Sequence, residues 1–136
     1  MIGLEEVRHE GELLAQVMRR HYGDKGINFV TSADEPLQMG VLTHPAGKRL
    51  AAHVHKEARK VITEVQEVLH ILYGTVRVDF YSEDQKLVDS KTLYCGDTVI
   101  LLRGGHGLSM LEDSKIMEVK QGPYRGVEED KSVWEV

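Results

Sequence analysis

Beyond Gly47 the chain alternates short apolar-rich runs with turn residues almost to its end, and that rhythm limits the available folds more than any other feature. The runs are residues 49–55, then EVLHILY from Glu67, TVRVDFY from Thr75 and KLVDSKTLY from Lys86, followed by TVILL from Thr98, LSMLE from Leu108 and KIMEVKQ from Lys115. Between them stand Gly74, Ser82-Glu83-Asp84-Gln85, Cys95-Gly96-Asp97, the glycine-rich loop Arg103-Gly104-Gly105-His106-Gly107 and Asp113-Ser114. Gly122-Pro123 ends the last run, because proline has no N–H to give a ladder. In TVRVDFY the period of two puts Val76, Val78 and Phe80 on one face and Arg77, Asp79 and Tyr81 on the other. Short strands at roughly eight-to-twelve-residue intervals predict an all-β sandwich or barrel.

Upstream the pattern is less decisive. Leu13, Leu14, Val17, Met18 and His21, within residues 10–22, suit either a short N-terminal helix or an edge strand before the Gly23-Asp24-Lys25-Gly26 turn. INFVT and LQMGVLTH then read as strands on either side of a Pro36 loop. With 136 residues, no repeat and no low-complexity linker, residues 1–136 are expected to form a single domain.

Composition removes several function classes. Apolar residues at 41% and charged residues at 29% describe a chain that can build a core. No apolar run reaches the ~18 residues of a membrane-spanning helix. MIGLEEVRHE, with two adjacent acids and no apolar segment, is no secretory signal. The single cysteine, Cys95, has no partner within the chain, and a cytoplasmic location is the expectation. It is read as a small packed residue. Seventeen basic against 22 acidic residues argue against nucleic-acid binding, and Glu128-Glu129-Asp130 is read as a solvated acidic end.

The histidines carry the functional signal. On a strand His53 and His55 point the same way, a spacing that suits two neighbouring ligands on one cation. Glu67 heads a face that continues through Leu69, Ile71 and Tyr73, and a carboxylate there is costly to bury unless paired or bound to a cation. His106 lies between glycines that let the backbone aim its imidazole inward. Three imidazoles and one carboxylate make a site for one divalent transition metal, with positions left for water or substrate. Nitrogen and oxygen donors without thiolate fit Fe, Mn, Ni or Zn.

These residues resemble the cupin superfamily, specifically the small single-domain metal-binding cupins. The first cupin motif, G(x)5HxH(x)3–4E(x)6G, is met by Gly47, His53-Val54-His55, Glu67 and Gly74. The second, G(x)5PxGxxH, is followed loosely from Gly96 to His106. Eleven residues separate His55 from Glu67, so KEARKVITEVQ is an insertion; Leu102 replaces the proline and His106 comes one position early. Glu57 and Glu64 also lie in the insertion, but Glu67 keeps the spacing to Gly74. The resemblance implies a double-stranded β-helix, or jelly-roll barrel, with a metal-binding core at about 47–107. It makes His53, His55, Glu67 and His106 the ligands, and implies a homodimer, to whose interface Leu13 to Met18 would add.

Around that centre Glu118 and Lys120, on one face of the last strand with Ile116, are candidates to move a proton. Arg59 is a candidate to bind a substrate phosphate or carboxylate bidentately, and Tyr124 to offer a phenol at the barrel mouth. Each also has a plain reading as a solvated ion pair, a surface cation or a rim residue. Small cupins of this length, with an ending like KIMEVKQGPYRG, suggest a metal-dependent isomerase or epimerase of a small polar or sugar-derived substrate. The alternatives are an Fe(II)-dependent dioxygenase and a non-catalytic metal- or ligand-binding module. No nucleic-acid or membrane partner is expected.

Overall fold

A computed structural model of the chain describes residues 2–126, 128 and 131–136, so most of the acidic run Glu128-Glu129-Asp130 lies outside the described residues. Among the described residues ten strands follow in order: β1 Leu4–His9, β2 Glu12–Met18, β3 Gly26–Phe29, β4 Gly40–Thr43, β5 Glu67–Tyr73, β6 Thr75–Tyr81, β7 Leu87–Tyr94, β8 Thr98–Leu101, β9 Gly105–Met110 and β10 Lys115–Lys120. They form a five-stranded sheet β1-β2-β8-β5-β10, a three-stranded sheet β7-β6-β9 and a ribbon β3-β4. All pairings are antiparallel, an all-β arrangement that fits a β-sandwich.

The main core lies between the two larger sheets. Leu69 and Ile71 of β5, Val99 and Leu101 of β8 and Val7, Leu14 and Val17 of the first two strands meet Val76, Val78 and Phe80 of β6 and Leu93 of β7. Each fully buried aliphatic or aromatic side chain contributes about 1.5–3 kcal/mol. A second cluster covers the outer face of the five-stranded sheet, where Val30 and Met39 pack on Ile100 and Leu102. All four residues of β8 are therefore buried, which explains why TVIL is a continuous run rather than an alternating one.

Of the two alternatives for residues 10–22 the strand is the one formed, as β2, though between β1 and β8 rather than at an edge, and Leu14, Ala15, Gln16 and Val17 are buried. Two expectations need correction. Residues 49–55 form no strand: from Pro45 to Gln66 the backbone has no regular element. His106 is not in a loop; β9 begins at Gly105, because Gly105 to Met110 pair with Tyr81 to Val76 of β6.

Gly74 makes the corner from one sheet to the other. Its φ is +92°, and a methyl there would overlap Ser114 and the carbonyl of Asp113. This corner lets β5 face β6 across the core, and so lets the start of β5 meet β9.

Candidate functional site

Glu67 is the first residue of β5 and stands opposite Leu101 of β8 and Lys120 of β10. Since it shares its face with Leu69 and Ile71, its carboxylate points between the sheets, and its side chain is 15% exposed. His106 comes from the other sheet. Paired with Phe80, whose ring is in the main core, it too faces inward. Its Nε2 lies 2.7 Å from Oε1 of Glu67, a contact that joins two sheets through residues 39 apart along the chain.

The last strand brings more groups to the same place. Glu118 stands opposite Leu69 on the inner face, the same face of the sheet as Glu67 on the neighbouring strand. Lys120 Nζ is 3.4 Å from Glu118 Oε1 and 5.2 Å from the centre of the Tyr124 ring, close enough for a cation–π contact. The hydrogen bond from His106 holds the Glu67 carboxyl down to about 2. Burial opposes this; the neighbouring Glu118 side chain and the charges of His106 and Lys120 add to it.

Five of the residues singled out in the sequence thus come together: Glu67, His106, Glu118, Lys120 and Tyr124. The other three do not join them. His53, His55 and Arg59 stand exposed on the irregular segment 45–66. The two imidazoles are edge-to-face, 5.2 Å between centres, and His53 Nδ1 lies 3.0 Å from the Ala51 carbonyl, which can only accept. Among the described residues, no three His, Cys, Asp or Glu side chains gather closely enough to hold a metal ion. Glu64, the other carboxylate considered, pairs instead with Arg103 at 3.2 Å.

Arg103 belongs to a network the sequence did not reveal. Its Nη2 donates to Glu35 at 2.6 Å and its Nη1 to the Leu13 carbonyl at 2.8 Å. Fully buried Gln66 accepts from the Leu37 amide, and its own amide donates to Gln121. Together these contacts fasten the end of segment 45–66 to the mouth of the site. No local pattern connects residues so far apart, so only the fold exposes them.

His70, on the opposite face from Glu67, bonds Thr98 Oγ1 at 2.8 Å. Cys95 is exposed rather than packed, and its thiol donates to the Leu72 carbonyl. It borders an open cleft of about 450 Å³ shared with Arg19, Arg20, His21 and Tyr94. Among the described residues no helix is long and apolar enough to cross a membrane. No family model matches the chain, and neither does any curated protein or solved structure.

Proposed function

We propose that the protein is a cupin-type, metal-dependent enzyme that moves a proton on a small polar or sugar-derived molecule, in an isomerase- or epimerase-like reaction. The observation that carries this reading is the Glu67–His106 pair, drawn from separate sheets, with Glu118 and Lys120 beside it. The finer fold assignment, a jelly-roll barrel, is supported by the spacing of Gly47 to His53-Val54-His55 and of Glu67 to Gly74, and by the looser likeness of Gly96 to His106 to the second motif.

The donor chemistry suits a divalent cation. Two ligand atoms about 2.1 Å from a cation and at right angles to one another are about 3 Å apart. Glu67 Oε1 and His106 Nε2 are 2.7 Å apart, so exchanging their shared proton for a cation asks for little movement. In this reading His53 and His55 supply the remaining nitrogens, and Arg59, on the same segment, binds a substrate phosphate or carboxylate. A metal held by these residues would supply Lewis-acid polarisation of a carbonyl or hydroxyl oxygen.

The remaining steps belong to the chain itself. The Lys120 ammonium, steadied by Glu118 and the Tyr124 ring, holds a substrate oxygen by charge and hydrogen bonding. Glu118 takes the proton and returns it. Tyr124, exposed at the rim, contacts the part of the molecule that faces solvent. A homodimer in the cytoplasm belongs to the same reading.

The test is elemental analysis of protein made under metal-replete conditions. About one divalent transition metal per chain is expected for wild type, and its loss for the His53→Ala, His55→Ala double variant. Equal absence of metal from both would refute the assignment. With metal confirmed, proton exchange into candidate sugars is the activity sought. Oxygen uptake with added Fe(II) would replace it with the dioxygenase, and saturation without turnover with a binding module.

A further inference from the structure

The tail returns to the strand that carries His106. The Trp134 ring stands edge-on to Tyr81, with centres 5.4 Å apart and planes at 86°. It also lies on Gly105: a methyl built there would overlap its Cη2. Gly105 does not adopt a left-handed φ, so its backbone alone does not call for glycine. What calls for it is the indole.

Register shows which face this is. His106 pairs with Phe80 and turns inward, whereas Gly105 pairs with Tyr81 and turns the other way. Tyr81 is nonetheless only 5% exposed, with the indole against it. β9 also needs support: it is the edge of its sheet, paired only with β6, and glycines flank His106 on both sides. Such a strand holds its own backbone weakly.

We propose that Trp134 is a positioning residue for the Glu67–His106 pair, bracing β9 from behind so that His106 meets Glu67 in the other sheet. The pair's importance rests on the function proposed above; the brace itself is independent of metal.

Trp134 is the chain's one tryptophan, so its emission reports its seat directly. Gly107 is the control: a methyl there would approach Tyr81 no closer than 3.7 Å. In wild type and Gly107→Ala the emission is expected to be blue-shifted and shielded from acrylamide. In Gly105→Ala it is expected to be red-shifted and quenched.

The positioning readout is the Nε2–H resonance of His106 in chelator-treated, ¹⁵N-labelled protein. It should be visible in wild type, Gly107→Ala and Trp134→Phe, and lost to exchange in Trp134→Ala and Gly105→Ala. Should Trp134→Ala fail to fold, the comparison of Gly105→Ala with Gly107→Ala decides the matter. A resonance that persists with the indole displaced, a resonance absent from wild type, or a Gly105→Ala protein whose indole stays seated would overturn the proposal. Because metal is absent throughout, failure here and failure of the metal assignment are separate results.

Discussion

Glu67 shows how one side chain reports on a whole site. Its carboxyl lies near 2, below the ordinary 4.5, chiefly through the His106 hydrogen bond. A carboxyl whose folded-state pKa is depressed contributes its full stabilisation above the unfolded value and loses it as pH falls through the folded one. Wild type is therefore expected to exceed Glu67→Gln in stability by its full margin from about pH 5 upward, the margin closing toward about pH 2. Urea unfolding at stepped pH measures this; a margin constant across that range would mean the pair is not formed. The same residue separates the two candidate carboxylates. Glu67→Gln is expected to weaken metal retention at least tenfold, whereas Glu64→Gln, which loses only a partner of Arg103, changes it little. Equilibrium dialysis with Mn(II) or Zn(II) reads the order, and the reverse order would move the ligand into the insertion.

At the scale of elements, the two glycines that anchor the first motif do different work. Both have left-handed φ, +85° at Gly47 and +92° at Gly74, but Gly47 has nothing within 4 Å of a methyl while Gly74 has the backbone of Asp113 and Ser114. Gly47→Ala is expected to cost about 1 kcal/mol, the left-handed penalty alone. Gly74→Ala should cost well over about 2 kcal/mol, since overlap adds to strain. Chemical denaturation of the two variants checks this, and similar costs would mean that the corner is looser than it looks. Side-chain parity is why the faces of β5, β6 and β10 were legible in advance: a period of two survives any change of partner. Strand existence was harder to read where composition opposed it. Half of β1 is charged, with only Val7 fully buried, and β9 opens with two glycines in three residues. In both cases pairing with a neighbour outweighs weak local preference. Within the site, the shared face of Glu118 and Lys120 followed from alternation, but that it turns inward comes from the pairing of β10 with β5, and the meeting of Glu67 with His106 depends on the corner at Gly74.

For the whole molecule, the unequal treatment of segment 45–66 is the organising fact. Its far end is fixed by Gln66 and the Arg103–Glu64 pair, while Leu50, Val54, Val61 and Val65 stand more than half exposed on it. Apolar side chains left in water along a segment with no ladder favour any arrangement that covers them, and a cation shared by His53, His55, Glu67 and His106 would supply the link. Trypsin measures this, because Lys48, Arg49, Lys56, Arg59 and Lys60 all lie in the segment and are exposed. Chelator-treated wild type is expected to be cut there first, leaving the ten strands associated. Saturating Mn(II) or Zn(II) should slow that cleavage at least fivefold in wild type and leave the His53→Ala, His55→Ala variant unchanged, since ligand that binds only the covered arrangement shifts the population toward it. Equal cleavage rates with and without metal would show that the segment does not join Glu67 and His106. Glu118 and Lys120 of β10 would then have only the Glu67–His106 pair beside them in any such site.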